Sequence, residues 1–139
     1  MHPEKWGKYL WKTIHYIALG YPNDPDTNTK ITYKNFYLNF WRVIPCHKCA
    51  QNYKDHIIEL NIDSFLDSKE KLFEWTVLLH NIVNRDIGKK QLLLQDAYKI
   101  YMHDHDEKQL HKHNNIWKYT TIILVICLIL LVFFKKNAI

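Results

Sequence analysis

The sequence predicts an all-α fold: a four-helix bundle with a short fifth helix, followed by one C-terminal transmembrane helix. Glycine occurs only at positions 7, 20 and 88, and no long stretch alternates apolar and polar residues as a half-buried strand does. Residues 122–134 form an unbroken apolar run, and residues 119–134 carry no charge. With interfacial aromatic residues and lysines at its ends, such a run meets the roughly 17–25 residues needed to cross a bilayer.

Two helices are predicted in the first third of the chain. The first covers residues 3–19 and has a proline in its first turn, where the missing N–H costs nothing. Residues 20–29 are rich in Gly, Pro, Asn and Asp, which predicts a loop. The second helix is expected from Thr32 to Val43, with Val43 facing inward, and Pro45 prevents its continuation.

Three further helices follow. The third is expected to begin at Pro45 or Cys46 and to end near Leu60. Asp67 followed by Glu70 resembles a capping box for the fourth, which continues to residue 87 and stops at Gly88. A shorter fifth helix is predicted at residues 91–101. The high aromatic content, 14%, indicates either a well-filled core or rings that line a pocket for a flat ligand.

The predicted organisation has three parts: a domain at 1–102, a polar juxtamembrane linker at 103–115 and a transmembrane helix at 116–136. A buried core helix is the alternative for residues 116–136, but this segment has no polar face of the kind that an amphipathic helix shows. The first twelve residues are charged and aromatic, without the apolar segment of a signal peptide. We therefore expect a single-pass membrane protein whose domain faces the cytosol.

The net charge of +5 does not indicate a nucleic-acid partner. Lys118, Lys135 and Lys136 flank the apolar run, and the other 16 basic residues face 14 acidic ones, which leaves about +2 elsewhere. No basic stripe stands out, so we expect no nucleic acid to bind. The histidines between positions 103 and 113 are interpreted as part of a solvated linker, and no metal site is predicted.

The chemistry depends on Cys46 and Cys49, because Cys127 lies in the apolar run. A zinc site would need two more ligands at matching spacing, and none is evident. A thioredoxin-like fold would place the motif after a strand, whereas its flanks here are helical. A purely structural disulfide is possible, although it would cross-link little chain. Redox chemistry is favoured, because a thiolate at a helix start has a low pKa and exchanges readily.

Two other motifs lie on helices 1 and 4. Trp11 and His15 are one turn apart and share a helix face, which suits either a core pair or a ligand site. His80 and Asn84 share a face of helix 4 in the same way. Asn residues inside a helix are costly without partners. Asn81 and Asn84 could therefore pair with each other or with caps, or could bind the polar edges of a nucleotide ring.

Together the three stretches resemble the Erv/ALR family of FAD-linked sulfhydryl oxidases, and the resemblance covers roughly residues 3 to 100. The matching positions are Gly7, Trp11, His15, Ala18, Tyr21 and Pro22, then Cys46, Cys49 and Ala50, then His80, Asn81, Val83, Asn84, Gly88 and Lys89. The resemblance implies a helical bundle that holds FAD at one end, commonly as a homodimer. The implied FAD-binding residues are Gly7, Lys8, Trp11, His15, Tyr53, His80, Asn81, Val83, Asn84 and Lys89.

The resemblance also implies the roles of the two sulfurs and the partners. Cys49 is expected to face the isoalloxazine, and Cys46 is expected to exchange with incoming thiols. Electrons then reach oxygen through FAD and yield hydrogen peroxide. Many relatives carry a further shuttle pair that this chain lacks, so thiol clients reach the pair directly or through a thioredoxin-like carrier. Short members of the family occur in large DNA viruses, and a virion or host-cell membrane is the expected location.

Two competing functions stay open at this point. The chain could be a membrane-tethered helical binding module without redox activity, or an adaptor held together by zinc. A yellow purified protein would favour the oxidase, and metal analysis would expose the adaptor.

Overall fold

A computed structural model describes residues 2–102 and 116–127, and each regular element within them is helical. The four main helices are α1 (Pro3–Leu19), α2 (Thr27–Asn39), α3 (His47–Glu59) and α4 (Lys69–Asp86). Short 3₁₀ turns occupy Phe40–Val43 and Ile62–Phe65. Residues 94–102 form α5, which agrees with the predicted short fifth helix, and residues 116–127 are also helical.

The chain divides into two compact units, Met1–Ala97 and Tyr98–Ile139. The first unit contains α1 to α4 and all the predicted site residues. In the second unit, the side chains of the helix at 116–127 are exposed. The described part of the chain contains no helix that combines the length and hydropathy of a membrane span. The predicted linker at 103–115 and the rest of the predicted span, 128–136, lie outside the described residues.

The second helix begins earlier than predicted, at Thr27, because Asp26 caps it. The Asp26 carboxylate accepts a hydrogen bond from the backbone N–H of Thr29 at 2.6 Å, and this bond lowers the pKa of Asp26. The prediction that Val43 faces inward was wrong, since Val43 is 69% exposed. Pro45 favours an extended conformation at the preceding residue, Ile44 (φ −71°, ψ 121°), so the helical conformation ends there.

The fourth helix is capped by Ser68 and not by Asp67. Ser68 Oγ accepts a hydrogen bond from the N–H of Lys71 at 3.3 Å. The Asp67 carboxylate instead binds two amines, Lys71 Nζ at 2.8 Å and Lys30 Nζ at 3.4 Å. The end of the helix agrees with the prediction, because Gly88 has a φ of 70° and its N–H bonds to Arg85 O.

Aromatic side chains connect the helices through buried hydrogen bonds. Tyr37 Oη donates to the carbonyl of Ile14 at 3.0 Å, and Tyr53 Oη donates to the carbonyl of Tyr37 at 3.1 Å. Trp75 Nε1 donates to the carbonyl of Leu60 at 2.9 Å. Burial raises the pKa of both tyrosines, so they stay neutral donors. These bonds connect α1 and α3 to α2, and α1 and α3 carry residues of the candidate site.

Candidate active site

The Cys46–Cys49 pair forms a disulfide at the start of α3, with the two Cα atoms 5.2 Å apart. Cys46 is the N-cap residue, and its Sγ accepts a hydrogen bond from the N–H of Cys49 at 3.2 Å. Cys49 lies in the first turn, where free backbone N–H groups and the helix dipole stabilise negative charge. Both residues are half-buried, which leaves the bridge within reach of another thiol.

A stack of three flat side chains lies between α1 and α4. The rings of Trp11 and His80 are almost parallel, with centroids 4.1 Å apart and an interplanar angle of 5°. His15, one turn after Trp11, has its ring centroid 5.3 Å from that of His80. His15 is fully buried, while Trp11 and His80 are half-buried. The structure therefore brings together three of the predicted cofactor residues, from helices distant in sequence.

Hydrogen bonds assign the tautomers of the two histidines. Thr76 Oγ1 donates its proton to the carbonyl of Phe73 at 2.6 Å, so it accepts from His15 Nδ1 at 2.9 Å. His15 Nε2 is then the acceptor in its 3.1 Å contact with His80 Nδ1, which donates. His80 Nε2 is left as an acceptor. Thr76 was missed in the sequence, although it lies one turn before His80 on the same helix face.

Both histidines are neutral at physiological pH. Burial, and then repulsion by His80, lowers the pKa of His15 from 6.5 to about 3. Burial, and then repulsion by Lys89, lowers the pKa of His80 to about 4. A neutral pair is also what the assigned tautomers require, because each ring must offer one donor and one acceptor.

The two asparagines of α4 differ in their surroundings. The Asn81 amide forms two hydrogen bonds with the backbone of Leu92, each 2.8 Å long, so it ties the segment after α4 to the helix. Asn84 is only 9% exposed, and its side-chain amide makes no hydrogen bond within the described residues. Its backbone carbonyl accepts from the N–H of Lys89 at 2.7 Å. The Asn81 amide therefore has a structural partner, whereas the Asn84 amide is available to a ligand.

The other predicted residues are less tightly placed. Val83 is half-buried on α4, and Lys89 is exposed just after that helix. Lys8 is exposed, with its Nζ 4.8 Å from the centroid of the Tyr9 ring. A Cβ added at Gly7 would meet no atom within 4 Å, so packing within the described residues does not explain a glycine in mid-helix. Tyr53 is buried on α3, one turn after Cys49, and its hydroxyl donates to the backbone carbonyl of Tyr37.

These residues fit the FAD that the sequence resemblance implies. A flavin nucleotide has two flat ring systems with polar edges. The Trp11–His80 stack offers flat ring surfaces, His80 Nε2 offers an acceptor, and the Asn84 amide offers both a donor and an acceptor. The open space at Gly7 allows a ligand to approach the backbone of α1. Lys8 on α1 and Lys89 just after α4 add positive charge to this region, which suits a ligand that carries phosphates.

Comparison with known proteins identifies a family and several similar proteins. A profile of the Erv1 / Alr family matches residues 8–106. A probable FAD-linked sulfhydryl oxidase of Acanthamoeba polyphaga mimivirus is 43% identical over 98 residues, which cover 70% of this chain and 68% of the relative. A putative FAD-linked sulfhydryl oxidase of invertebrate iridescent virus 3 is 29% identical over 99 residues, covering 71% and 67%.

The fold is similar to solved structures of yeast Erv1. The FAD binding domain of Erv1 from Saccharomyces cerevisiae superposes with a TM-score of 0.68 at 29% identity, covering 73% of this chain and 94% of that one. The yeast Erv1 core gives a TM-score of 0.67 at the same identity, covering 73% and 84%. With a family profile that matches most of the chain and a relative at 43% identity, this chain belongs to the Erv1 / Alr family.

Proposed function

We propose that this chain is an FAD-linked sulfhydryl oxidase that forms disulfide bonds in client proteins. The observation that carries the proposal is the Cys46–Cys49 disulfide at the start of α3, in a chain of the Erv1 / Alr family. The fit of the Trp11, His80 and Asn84 side chains to a flavin nucleotide supports it further. The overall reaction takes two thiols and one oxygen molecule to a disulfide and hydrogen peroxide.

The sulfur chemistry follows from the position of each cysteine. A client thiolate attacks Cys46 Sγ, the Cys46–Cys49 bond breaks, and its electron pair stays on Cys49 as a thiolate. The first turn of α3 stabilises that thiolate, which makes Cys49 a good leaving group. A second client thiolate then attacks the client sulfur of the mixed disulfide and releases Cys46. The client leaves oxidised, and the pair holds the two electrons.

The remaining groups position the cofactor, and the two histidines among them stay uncharged. FAD, when bound, accepts two electrons from the dithiol and passes them to oxygen. Trp11 and His80 provide the flat surface against which a ring can lie, and Thr76 fixes the tautomer of His15 and thereby that of His80. Because both histidines stay uncharged well below pH 7, the site presents no buried positive charge that changes with cellular pH.

A matched pair of variants tests this function. Cys49→Ser removes the leaving thiolate, so it should lose oxygen consumption with dithiothreitol while still binding FAD. Cys127→Ser, a change at an exposed cysteine outside the disulfide, should keep both. An oxygen electrode and the visible absorption of bound flavin give the two readings. Normal turnover by Cys49→Ser would contradict the assignment.

We also propose a membrane anchor at residues 116–136, a cytosol-facing domain and a homodimer. The anchor is supported by the uncharged run at 119–134 and by the exposed apolar side chains of residues 122–126. The homodimer and the thiol clients, met directly or through a thioredoxin-like carrier, rest on the resemblance to the family. A virion or host-cell membrane is the proposed location, in keeping with the viral relatives. Carbonate extraction of membranes and sedimentation of the detergent-solubilised chain test the anchor and the dimer.

A further inference from the structure

The surface around the disulfide carries a cluster of cationic side chains. We name it the basic face and define it by the following residues: Trp41, Arg42, His47, Lys48 and Lys54. All except the half-buried Trp41 are exposed. Between residues 27 and 54, the sequence contains no Asp or Glu. The disulfide therefore lies near the end of a 28-residue stretch in which every charged side chain is a cation.

The indole ring of Trp41 holds two of these cations in place. Arg42 Cζ lies 4.7 Å from the centroid of the Trp41 ring, and Lys54 Nζ lies 5.1 Å from it. Arg42 belongs to the 3₁₀ turn before the disulfide, and Lys54 belongs to the helix after it. Cation–π contacts attract the charges without neutralising them. The two cations are thus ordered but keep their full charge.

The permanent cations of this face differ from the lysines of α2, which have carboxylate partners. Lys30 and Lys34 form ion pairs with Asp67 and Asp63, at 3.4 Å and 2.6 Å. Within the described residues, no ion pair neutralises any of the three permanent cations of the basic face, which are Arg42, Lys48 and Lys54. An incoming ligand with carboxylates would therefore not have to displace an internal partner.

Charge is also distributed unevenly along α3. Its lysines are Lys48, in the first turn, and Lys54, and both precede its acidic residues, Asp55 and Glu59. Asp55 is exposed, and its Oδ1 accepts a hydrogen bond from Gln51 Nε2 at 2.9 Å. The partial positive charge of the helix N-terminus adds to that of the lysines at the disulfide end.

We propose that the basic face selects thiol clients whose reactive cysteines lie beside Asp or Glu residues. This inference rests on the proposed oxidase function. The cations attract the carboxylates of the client, and they favour the thiolate form of its attacking cysteine. The client thiolate attacks Cys46 Sγ and the electron pair passes to Cys49, so the selection adds no reactant to the exchange. An anionic membrane would meet the same charges, but the position of the disulfide among them favours a ligand that brings a thiol.

Three peptides with the same Cys-x-x-Cys centre test the proposal on the FAD-loaded full chain. The acidic peptide carries Asp and Glu in its flanks, the neutral peptide carries Ser and Gln, and the basic peptide carries Lys. Each exposed ion pair contributes a factor of about 1.5 to 5, so three pairs give the acidic peptide about a tenfold higher kcat/KM than the neutral one at low salt. The basic peptide should be the slowest. At about 1 M salt, where screening acts within about 3 Å, the differences should shrink to about twofold or less.

Variants assign the effect to the basic face. Lys48→Gln should lower the acidic peptide's advantage about twofold, and the combined Arg42→Gln, Lys48→Gln and Lys54→Gln variant should abolish it. Lys30→Gln is the matched control: it removes the same charge from the first turn of α2, outside the basic face, and should keep the full preference. Rates with dithiothreitol, an uncharged dithiol, normalise each variant for folding and FAD content.

The outcomes separate this proposal from the function on which it rests. Equal kcat/KM values for the three peptides, with dithiothreitol still oxidised, would overturn the proposal and leave the oxidase intact. No oxidation of dithiothreitol by the wild-type chain would overturn the oxidase itself. A combined variant that loses binding to phosphatidylserine vesicles but keeps the peptide preference would show that the basic face contacts membranes, and the proposal would also be wrong.

Discussion

Acidification should destabilise the cofactor-free protein through His15, the fully buried histidine of the α1–α4 contact. The pKa of His15 is about 3 in the folded protein and 6.5 without burial. Between these values the unfolded chain binds a proton that the folded chain does not, so stability is lost as pH falls below 6.5. From pH 6.5 to 4.5 the protonated fraction of the unfolded histidine rises from one half to nearly one, which removes about 2 kcal/mol at about 1.4 kcal/mol per proton and pH unit. That is a large fraction of the roughly 5–15 kcal/mol that stabilises an ordinary domain.

The window from pH 6.5 to 4.5 isolates the histidines from the carboxylates. Asp26 and Asp67 have lowered pKa values because of hydrogen bonds, from Thr29 and Lys71 respectively, so their contributions disappear only below about pH 4. His80, with a folded pKa of about 4, adds a loss in the same direction as His15. The wild-type free energy of unfolding should therefore fall by at least about 2 kcal/mol across this window.

The assay is urea unfolding followed by circular dichroism at several pH values. His15→Asn keeps a side-chain N–H that can donate to Thr76 Oγ1 but does not titrate, so its pH slope should be shallower by about one bound proton. His2→Asn, a change at an exposed N-terminal residue, should keep the wild-type slope. If His15→Asn lost stability with pH as steeply as the wild type, the burial argument for His15 would be refuted.

Two further predictions concern stability. Asn81→Ala should remove both hydrogen bonds to the Leu92 backbone and lower the free energy of unfolding by about 1–3 kcal/mol. Hydrogen exchange at the Leu92 amide should accelerate, and unchanged protection there would contradict the role of Asn81. Ser68→Ala should cost about 1 kcal/mol in urea unfolding through loss of the α4 cap, whereas Asp67→Ala, which breaks exposed ion pairs, should cost less. A larger loss of stability in Asp67→Ala than in Ser68→Ala would indicate that Asp67 is the cap.

Local patterns were sufficient to predict most of the helices. The 3–19 helix agrees with α1 at both ends, and Gly88 marks the end of α4 because its φ of 70° suits glycine. The start of α2 was placed too late, because Asp26 lies among Gly, Pro and Asn residues that also predict a loop. Only the capping bond to Thr29 shows that this aspartate begins a helix. A cap and a turn use the same residue types, and the sequence does not distinguish them.

The candidate site was predicted as separate motifs, and the tertiary structure shows which of them meet. Trp11 and His15 were expected to share a face, but their contact with His80 depends on how α1 packs against α4. The partner of Asn81 is a backbone group after the helix, which no side-chain spacing indicates. Thr76 has no special sequence signal, yet its bond to Phe73 O determines the tautomers of both histidines.

The most direct test of the oxidase follows electrons from a thiol to the flavin without oxygen. Under anaerobic conditions, one equivalent of dithiothreitol should bleach the visible flavin absorption of the FAD-loaded wild-type chain within the time of a single turnover. Cys46→Ser and Cys49→Ser should bind FAD but stay yellow on that timescale, because each lacks one sulfur of the relay. Bleaching of either variant as fast as the wild type would show that the flavin takes electrons by a route that bypasses the disulfide.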